Sequence, residues 1–365
     1  MLTKSDNMGG NAFLKLFGYG WTRVHRLAFW ISVLFRDVKG FFAPMSRDIN
    51  CSIPTDFNIE PVNLCNANCI FCGYQYQTRP HSFIDNAFAF RIIDSAKSAN
   101  VRRIGLTPIV GEPLVNRNLE EIIRYAKGGA NPLEVGLTTN GLLLTAVRYR
   151  SLVDAGIGNI QISMTYPNEE EYFQIYRNHR LGTLIQNIED MLDVYRPGEC
   201  NIGISVRTPR YRWGHSLFER ARTAGWVVVK NSFMDDWSGF VAEALMMHGF
   251  VPRPLLSKRL PCSMLFSGPH FLSDGRATAC GCRDLDGGPD LSLKSESLLA
   301  DARTEYISGK VENIRELFRS GTAPEICQSC RHYISQYEGE DLKQRSNQLM
   351  VDFKAALQDI FSSHK

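Results

Sequence analysis

With 365 residues, 44% of them hydrophobic and 22% charged, the chain can bury a sizeable core and reads as one large domain with an appendage, or as two domains. A net charge of +3 is too small to argue for nucleic acid, and no long basic run or aromatic-rich RNA motif accompanies it. The ten cysteines fall in groups with metal-ligand gaps and not in a disulfide framework, so reduced thiols and a cytoplasmic location are expected.

The chain opens on polar Thr3, Lys4, Ser5 and Asp6, and no small-residue cleavage site follows an apolar core, so no secretory signal is expected. The longest apolar stretch, Leu27 to Phe35, is too short to span a bilayer and ends at Arg36 and Asp37. Leu14, Phe17, Trp21, Val24, Ala28, Ile31 and Phe35 recur at helical steps beside Lys15, Arg23, Arg26, Arg36 and Lys39. Residues 1–50 therefore read as an amphipathic helical arm, weakened at its start by Gly18 and Gly20. Such an arm packs on the main domain or wraps a partner; peripheral membrane contact through residues 10–42 is the alternative.

From residue 56 onward short strand-like and longer helix-like segments alternate, the pattern of parallel strands joined by crossover helices. Strands are predicted near Phe57–Pro61, Ile104–Thr107, Leu133–Thr138, Asn159–Ser163, Asn201–Arg207 and Val227–Asn231. Helices are predicted near Ile84–Ala99, Leu119–Lys127, Leu144–Ala155, Leu184–Tyr195 and Leu217–Thr223. Six such units span roughly 190 residues, short of a closed eight-unit barrel, so the expected fold is α/β: an open, TIM-like partial (β/α)6 barrel over residues 51–250. Pro252, Pro254 and Pro261, with Gly249, mark a change of texture that sets off a small cysteine-rich domain over 255–335. The polar tail, 336–365, reads as a terminal helix.

Cys65, Cys69 and Cys72 follow the first predicted strand, where active-site groups of parallel β/α folds collect. Thiolates at this spacing can wrap one corner of an iron-sulfur cubane and leave the fourth iron open to a small chelating molecule; structural zinc, or buried cysteines acting as small hydrophobes, are the plainer readings. Further on, Cys262, Cys280, Cys282, Cys327 and Cys330 suit a second, fully ligated centre, for which zinc and iron-sulfur are equal rivals. Cys51 and Cys200 match no motif and read as buried thiols. Gly111-Glu112-Pro113 brings a backbone and a carboxylate to a turn where an ammonium group could be held. Thr138-Thr139-Asn140-Gly141 is a strong turn signal, and Arg207, Asp235, Asp236 and Trp237 are placed near the same rim, with acid-base or substrate roles for Arg207, Asp235 and Asp236 weighed against solvated loop charge.

With Phe71 in the aromatic place, the first triplet matches C-x-x-x-C-x-aromatic-C in full and resembles the radical S-adenosylmethionine (radical SAM) superfamily. The resemblance implies a [4Fe-4S] cluster on Cys65, Cys69 and Cys72, chelation of S-adenosylmethionine (SAM) by its free iron, and cleavage to methionine and a 5'-deoxyadenosyl radical that abstracts substrate hydrogen. It implies Phe71 beside the adenine, Gly111 and Glu112 at the SAM amino group, Thr139 and Asn140 on the SAM-facing rim, and Ser163 with Arg177 at the carboxylate, Arg180 being a spare. Val110 and Thr165 depart from the family pattern.

The order Cys262, Gly275, Cys280, then Cys327 and Cys330, is similar to the Twitch and SPASM extensions of that superfamily, and implies a second, auxiliary [4Fe-4S] cluster. No cysteine follows Cys330, which implies the shorter Twitch form; Cys282 is extra, and the glycine spacing favours Cys280. Implied partners are a small-molecule substrate and an electron donor such as flavodoxin or ferredoxin. The expected function is hydrogen abstraction from a polar small molecule (a sugar, aminocyclitol or nucleoside), with oxidation favoured. The alternatives are maturation of a ribosomal peptide, for which residues 1–50 look too short and too purely helical to form a recognition domain, and a non-catalytic iron-sulfur or zinc scaffold.

Overall fold

The computed structural model describes residues 54–209, 214–231, 233–253, 255–258, 260–281, 284–334 and 336, with isolated positions 27, 30, 31, 34, 350, 353, 354, 356 and 357. Residues 50–252 and 258–336 form one compact unit; residues 1–49, 253–257 and 337–365 form another. Of the predicted apolar stripe in the arm only Ile31 is described, and it is 57% exposed, whereas Trp30 is buried. The rest of that stripe, Cys51 and Cys282 lie outside the described residues.

Six parallel strands, β1 (Asp56–Ile59), β2 (Arg103–Gly105), β3 (Glu134–Thr139), β4 (Asn159–Met164), β5 (Asn201–Arg207) and β6 (Val227–Asn231), pair in sequence order. Crossover helices Asn86–Ser98, Leu119–Lys127, Ala146–Ala155, Leu181–Val194 and Ser216–Thr223 join them, close to the predicted bounds. Their ends obey local chemistry: Asp85 and Thr145 cap two of them by accepting backbone N–H bonds, and Gly156 ends one at φ 101°. The open α/β partial barrel expected from the sequence is thus present.

Register divides the sheet into two faces. Val135, Leu137, Ile160, Ile162, Met164, Ile202, Ile204 and Val206 are buried on one, as a layer of crossover helices requires. The other carries Gly136, Thr138, Gln161, Ser163, Gly203, Ser205 and Arg207, so the barrel interior is polar and glycine-rich. A Cβ at Gly203 would overlap the Gln161 amide, and one at Gly105 the Asn58 amide; long polar side chains fill the space the glycines leave.

Further elements lie outside the predicted strands and helices. A short helix, Glu169–Tyr176, follows β4, capped by Asn168 and carrying Glu169, Glu170 and Glu171 in its first turn, where acidic groups favour the helix dipole. Beyond β6, the two-residue strands β7 (Phe233–Met234) and β8 (Val251–Pro252) pair with each other. Then β9 (His270–Phe271) adds in parallel to β1 and leads into an antiparallel run with β10 (Ala277–Thr278) and β11 (Ser292–Leu293). The sheet therefore continues past β1 in the order β11-β10-β9-β1, and the cysteine-rich segment grows out of the barrel's own edge. No helix among the described residues is long and apolar enough to cross a membrane.

Candidate functional site

The loop after β1 brings Cys65, Cys69 and Cys72 within electrostatic reach of one another. Hydrogen bonds to its backbone set its path: Cys72 N–H donates to Cys69 C=O (3.1 Å), Ile70 N–H to Ile175 C=O (2.9 Å), and the Trp237 indole Nε1–H to Phe71 C=O (2.9 Å). Asn63, fully buried, clips the loop's entry to its exit by donating to Pro80 C=O and accepting from Ser82 N–H. Burial pushes the Cys65 thiol up to about 12 and raises Cys69 and Cys72 as well, against a partial pull down from Arg207 on the latter two. Without a cation these sulfurs stay protonated.

Glu112 knits three strand ends together. Its N–H donates to Leu64 C=O (2.9 Å), while its carboxylate accepts from Leu114 N–H (3.1 Å), Thr139 Oγ1 (2.6 Å) and Asn140 N–H (2.8 Å). Burial lifts this carboxyl to about 7, opposed by those three bonds. Gly111 sits at φ 141°, where a Cβ would press on the backbone of Val62 and Asn63, so only glycine lets the turn lie against the cluster loop. Asn140 reaches Asn66 Oδ1 (2.6 Å) and lies 3.9 Å from Cys65 Sγ.

At the ends of β4 and β5, Ser163 Oγ accepts from Arg207 Nε (2.6 Å) and lies 2.8 Å from the Tyr176 hydroxyl. The Arg207 guanidinium stacks 4.6 Å from the Phe71 ring, which meets Tyr176 edge-on. Ser163, Arg207 and Phe71 thus gather beside the loop. Arg177 does not join them: exposed, at φ 54°, it donates to Gln75 Oε1 (3.0 Å). Asp236 is withdrawn from any open rim, its side chain 3% exposed and paired to Arg331 Nε at 2.8 Å; neighbouring Asp235 is half-buried.

A second cavity is lined by Cys262, Cys280, Cys327 and Cys330, with Leu265 and Phe318 among its apolar walls. Burial raises Cys262 to about 12 and pushes Cys327 up too, while Lys258, 4.8 Å over the Tyr333 ring, supplies a facing positive charge. No three His, Cys, Asp or Glu among the described residues converge on one ion position; thiolates of a cubane bind different irons and stand further apart.

Sequence reasoning missed the pair that braces both regions. Arg79 and Glu60, 2% and 1% exposed, form a two-pronged ion pair (2.7 and 2.9 Å); Arg79 Nε also donates to Leu285 C=O, and Glu60 accepts from Ser273 N–H and Oγ. The available signal was a glutamate inside the apolar run Phe57-Asn58-Ile59-Glu60-Pro61-Val62, which demands a cation.

Residues 59–207 match the family profile described as the radical SAM superfamily. A GTP 3',8-cyclase of Pelotomaculum thermopropionicum is 32% identical over 138 residues, 37% of this chain and 42% of that protein. One of Desulforamulus reducens is 27% identical over 205 residues, 52% and 61% of the two chains, so this chain spans less than two thirds of either curated relative. Among solved structures, BtrN in complex with AdoMet and 2-DOIA aligns with a TM-score of 0.55 at 14% identity, over 79% of this chain and 98% of that one. Streptococcus suis SuiB bound to S-adenosylmethionine aligns with a TM-score of 0.52 at 15% identity, over 73% and 68%. The fold, the triplet loop at the end of β1 and the matched segment agree: residues 59–207 form a radical SAM domain, and that family's cofactors are a [4Fe-4S] cluster and SAM.

Proposed function

We propose that this protein is a radical SAM enzyme acting on a polar small molecule, with an auxiliary [4Fe-4S] cluster on Cys262, Cys280, Cys327 and Cys330. The observation that carries the reading is the setting of the Cys65–Cys69–Cys72 loop, at a strand's carboxyl end and flanked by Glu112, Asn140 and Arg207. The donor set fits the cofactor: three thiols with raised pKa values, Cys69 buried and Cys65 and Cys72 half-buried, one short of a closed cubane, would be stabilised as thiolates by a cationic iron core. When bound, the cluster and SAM supply a 5'-deoxyadenosyl radical on one-electron reduction.

The chain's residues do the rest. Glu112 fixes the Gly111–Pro113 turn and the Thr139–Asn140 turn against the loop, so that their backbone groups and the Asn140 amide would be available to hold SAM from set positions. Ser163 and Arg207 offer a hydroxyl and a cation for the SAM carboxylate or a substrate anion, with Arg177 at the outer rim. The polar interior formed by Thr138, Gln161, Ser205 and Arg207 favours a hydroxylated or charged substrate over an apolar one. GTP, named in the activity of the GTP 3',8-cyclase relatives, is of this polar kind.

Reduced, iron-loaded protein incubated with SAM is expected to release 5'-deoxyadenosine, measured by chromatography. Stoichiometric zinc with no cleavage after anaerobic reconstitution would sink the reading. The auxiliary assignment has its own test: Cys280→Ser should lose the second cluster and loosen the surrounding helices together, because a small metal-dependent segment loses one of four anchors. Cys282→Ser should be milder in iron content and in circular dichroism; the reverse order would make Cys282 the ligand.

A further inference from the structure

The three residues Asp236, Trp237 and Ser238 touch both cysteine sites at once. Trp237 donates its indole N–H to Phe71 C=O, next to Cys72, and its ring packs so closely on Gly73 that a Cβ there would lie 3.0 Å from it. Asp236 holds Arg331, next to Cys330; Ser238 Oγ donates to Ile326 C=O (3.4 Å), next to Cys327. The flanking side chains thus grip both ends of the Cys327–Cys330 knuckle while the middle one grips the radical loop. This alternation is bought with unusual backbone: Trp237 and Ser238 have φ of 52° and 58°, the left-handed region that side chains larger than glycine's rarely adopt, followed by Gly239 at 100°. Asp236 C=O closes the turn by accepting from Gly239 N–H (3.0 Å) and Val241 N–H (3.1 Å). Strain of this kind persists only where surrounding contacts over-determine it.

We infer that Asp236-Trp237-Ser238 is a yoke that couples the two sites energetically, so that filling the auxiliary cavity tightens the radical loop, with Trp237 as its positioning residue. When the knuckle is held by metal, Arg331 and Ile326 are fixed; Asp236 and Ser238 are fixed in turn, and Trp237 presents its N–H to Phe71 C=O. With the knuckle empty, the strained turn has less to oppose its relaxation, and the indole loses its set position. The inference rests on the auxiliary-cluster reading.

The test is a double-mutant cycle on the full-length, anaerobically reconstituted protein. The rate of iron release from the radical loop to a chelator is measured, with the electron paramagnetic resonance line shape of its reduced cluster as second readout. Emptying the auxiliary site by Cys327→Ser with Cys330→Ser is expected to speed release about 5- to 20-fold, within the span of ordinary coupling between sites, and to change the line shape. In a Trp237→Phe background, which keeps the ring but removes the donor, emptying should change neither readout by more than about two-fold. Arg331→Met, which releases Asp236 without touching a thiol, should reproduce the emptied phenotype while auxiliary iron is retained; it decides the matter if the double-cysteine variant does not fold. Additive effects in the cycle would mean that Trp237 is merely structural, and would overturn the yoke while leaving the two-cluster reading intact. Wild-type protein that binds only about four irons would overturn both, since there would be no second cluster to couple.

Discussion

Changing Cys65, Cys69 and Cys72 together to alanine is expected to lower the iron content from about eight atoms to about four and to abolish 5'-deoxyadenosine formation. The loop should survive the change. Its course is set by backbone bonds from Ile70 to Ile175 and from Glu112 to Leu64 and by the Trp237 indole bond to Phe71, none of which uses a thiol. A buried cysteine also packs as a small hydrophobe, so three alanines leave little void. The loss is therefore a loss of ligands, and only an iron left open by a three-cysteine loop can bind and cleave SAM. Metal analysis and a deoxyadenosine assay check it; retention of all the iron, or persistent cleavage, would reassign the site.

Arg79→Met should be the most destabilising single substitution in the region, by about 3–5 kcal/mol, because it leaves the Glu60 carboxylate buried without its cation. The Leu285 carbonyl also loses its donor. For a unit of this size the midpoint of thermal unfolding should fall on the order of 5–10 °C. Glu60→Met combined with Arg79→Met should recover part of the loss, since replacing both charges removes the uncompensated one, but not all of it, as Ser273 N–H stays without its acceptor. A single variant that melts within about 1 °C of wild type would show that the pair contributes nothing net.

The barrel was legible because its signals are local. Each strand from β1 to β6 is a run of three to seven residues next to a helix with its own apolar period and cap, so strand and helix could be read within a window. The cysteine spacings were legible for the same reason, and Cys262, Cys280, Cys327 and Cys330 line one cavity. The helix Glu169–Tyr176 escaped because its run of glutamates looks like a loop until Asn168 is recognised as its cap. Strands β9 to β11 are two residues each, and β9 owes its place to pairing with β1, which no window contains. Site geometry was not legible where a side chain had a choice: Ser163 accepts from Arg207, and Glu112 turns its carboxylate to the neighbouring strand end. Periodicity fixes which face a residue occupies, but not which of several cations reaches it.

The pairing of β9 with β1 also dictates an order of events during synthesis. Strands β1 to β6 meet neighbours that leave the ribosome shortly after them, and such contacts form early because little loop entropy is spent in closing them. Glu60 and Arg79 emerge with the first of these units, yet their remaining partners, Ser273 and Leu285, lie 213 and 206 residues downstream. Until that segment arrives, β1 is a bare edge and the charged pair beside the radical loop has an incomplete shell. The nascent barrel is thus exposed to edge-to-edge association. A ribosome stalled before residue 270 should therefore yield a barrel whose β1 edge is bare and which aggregates.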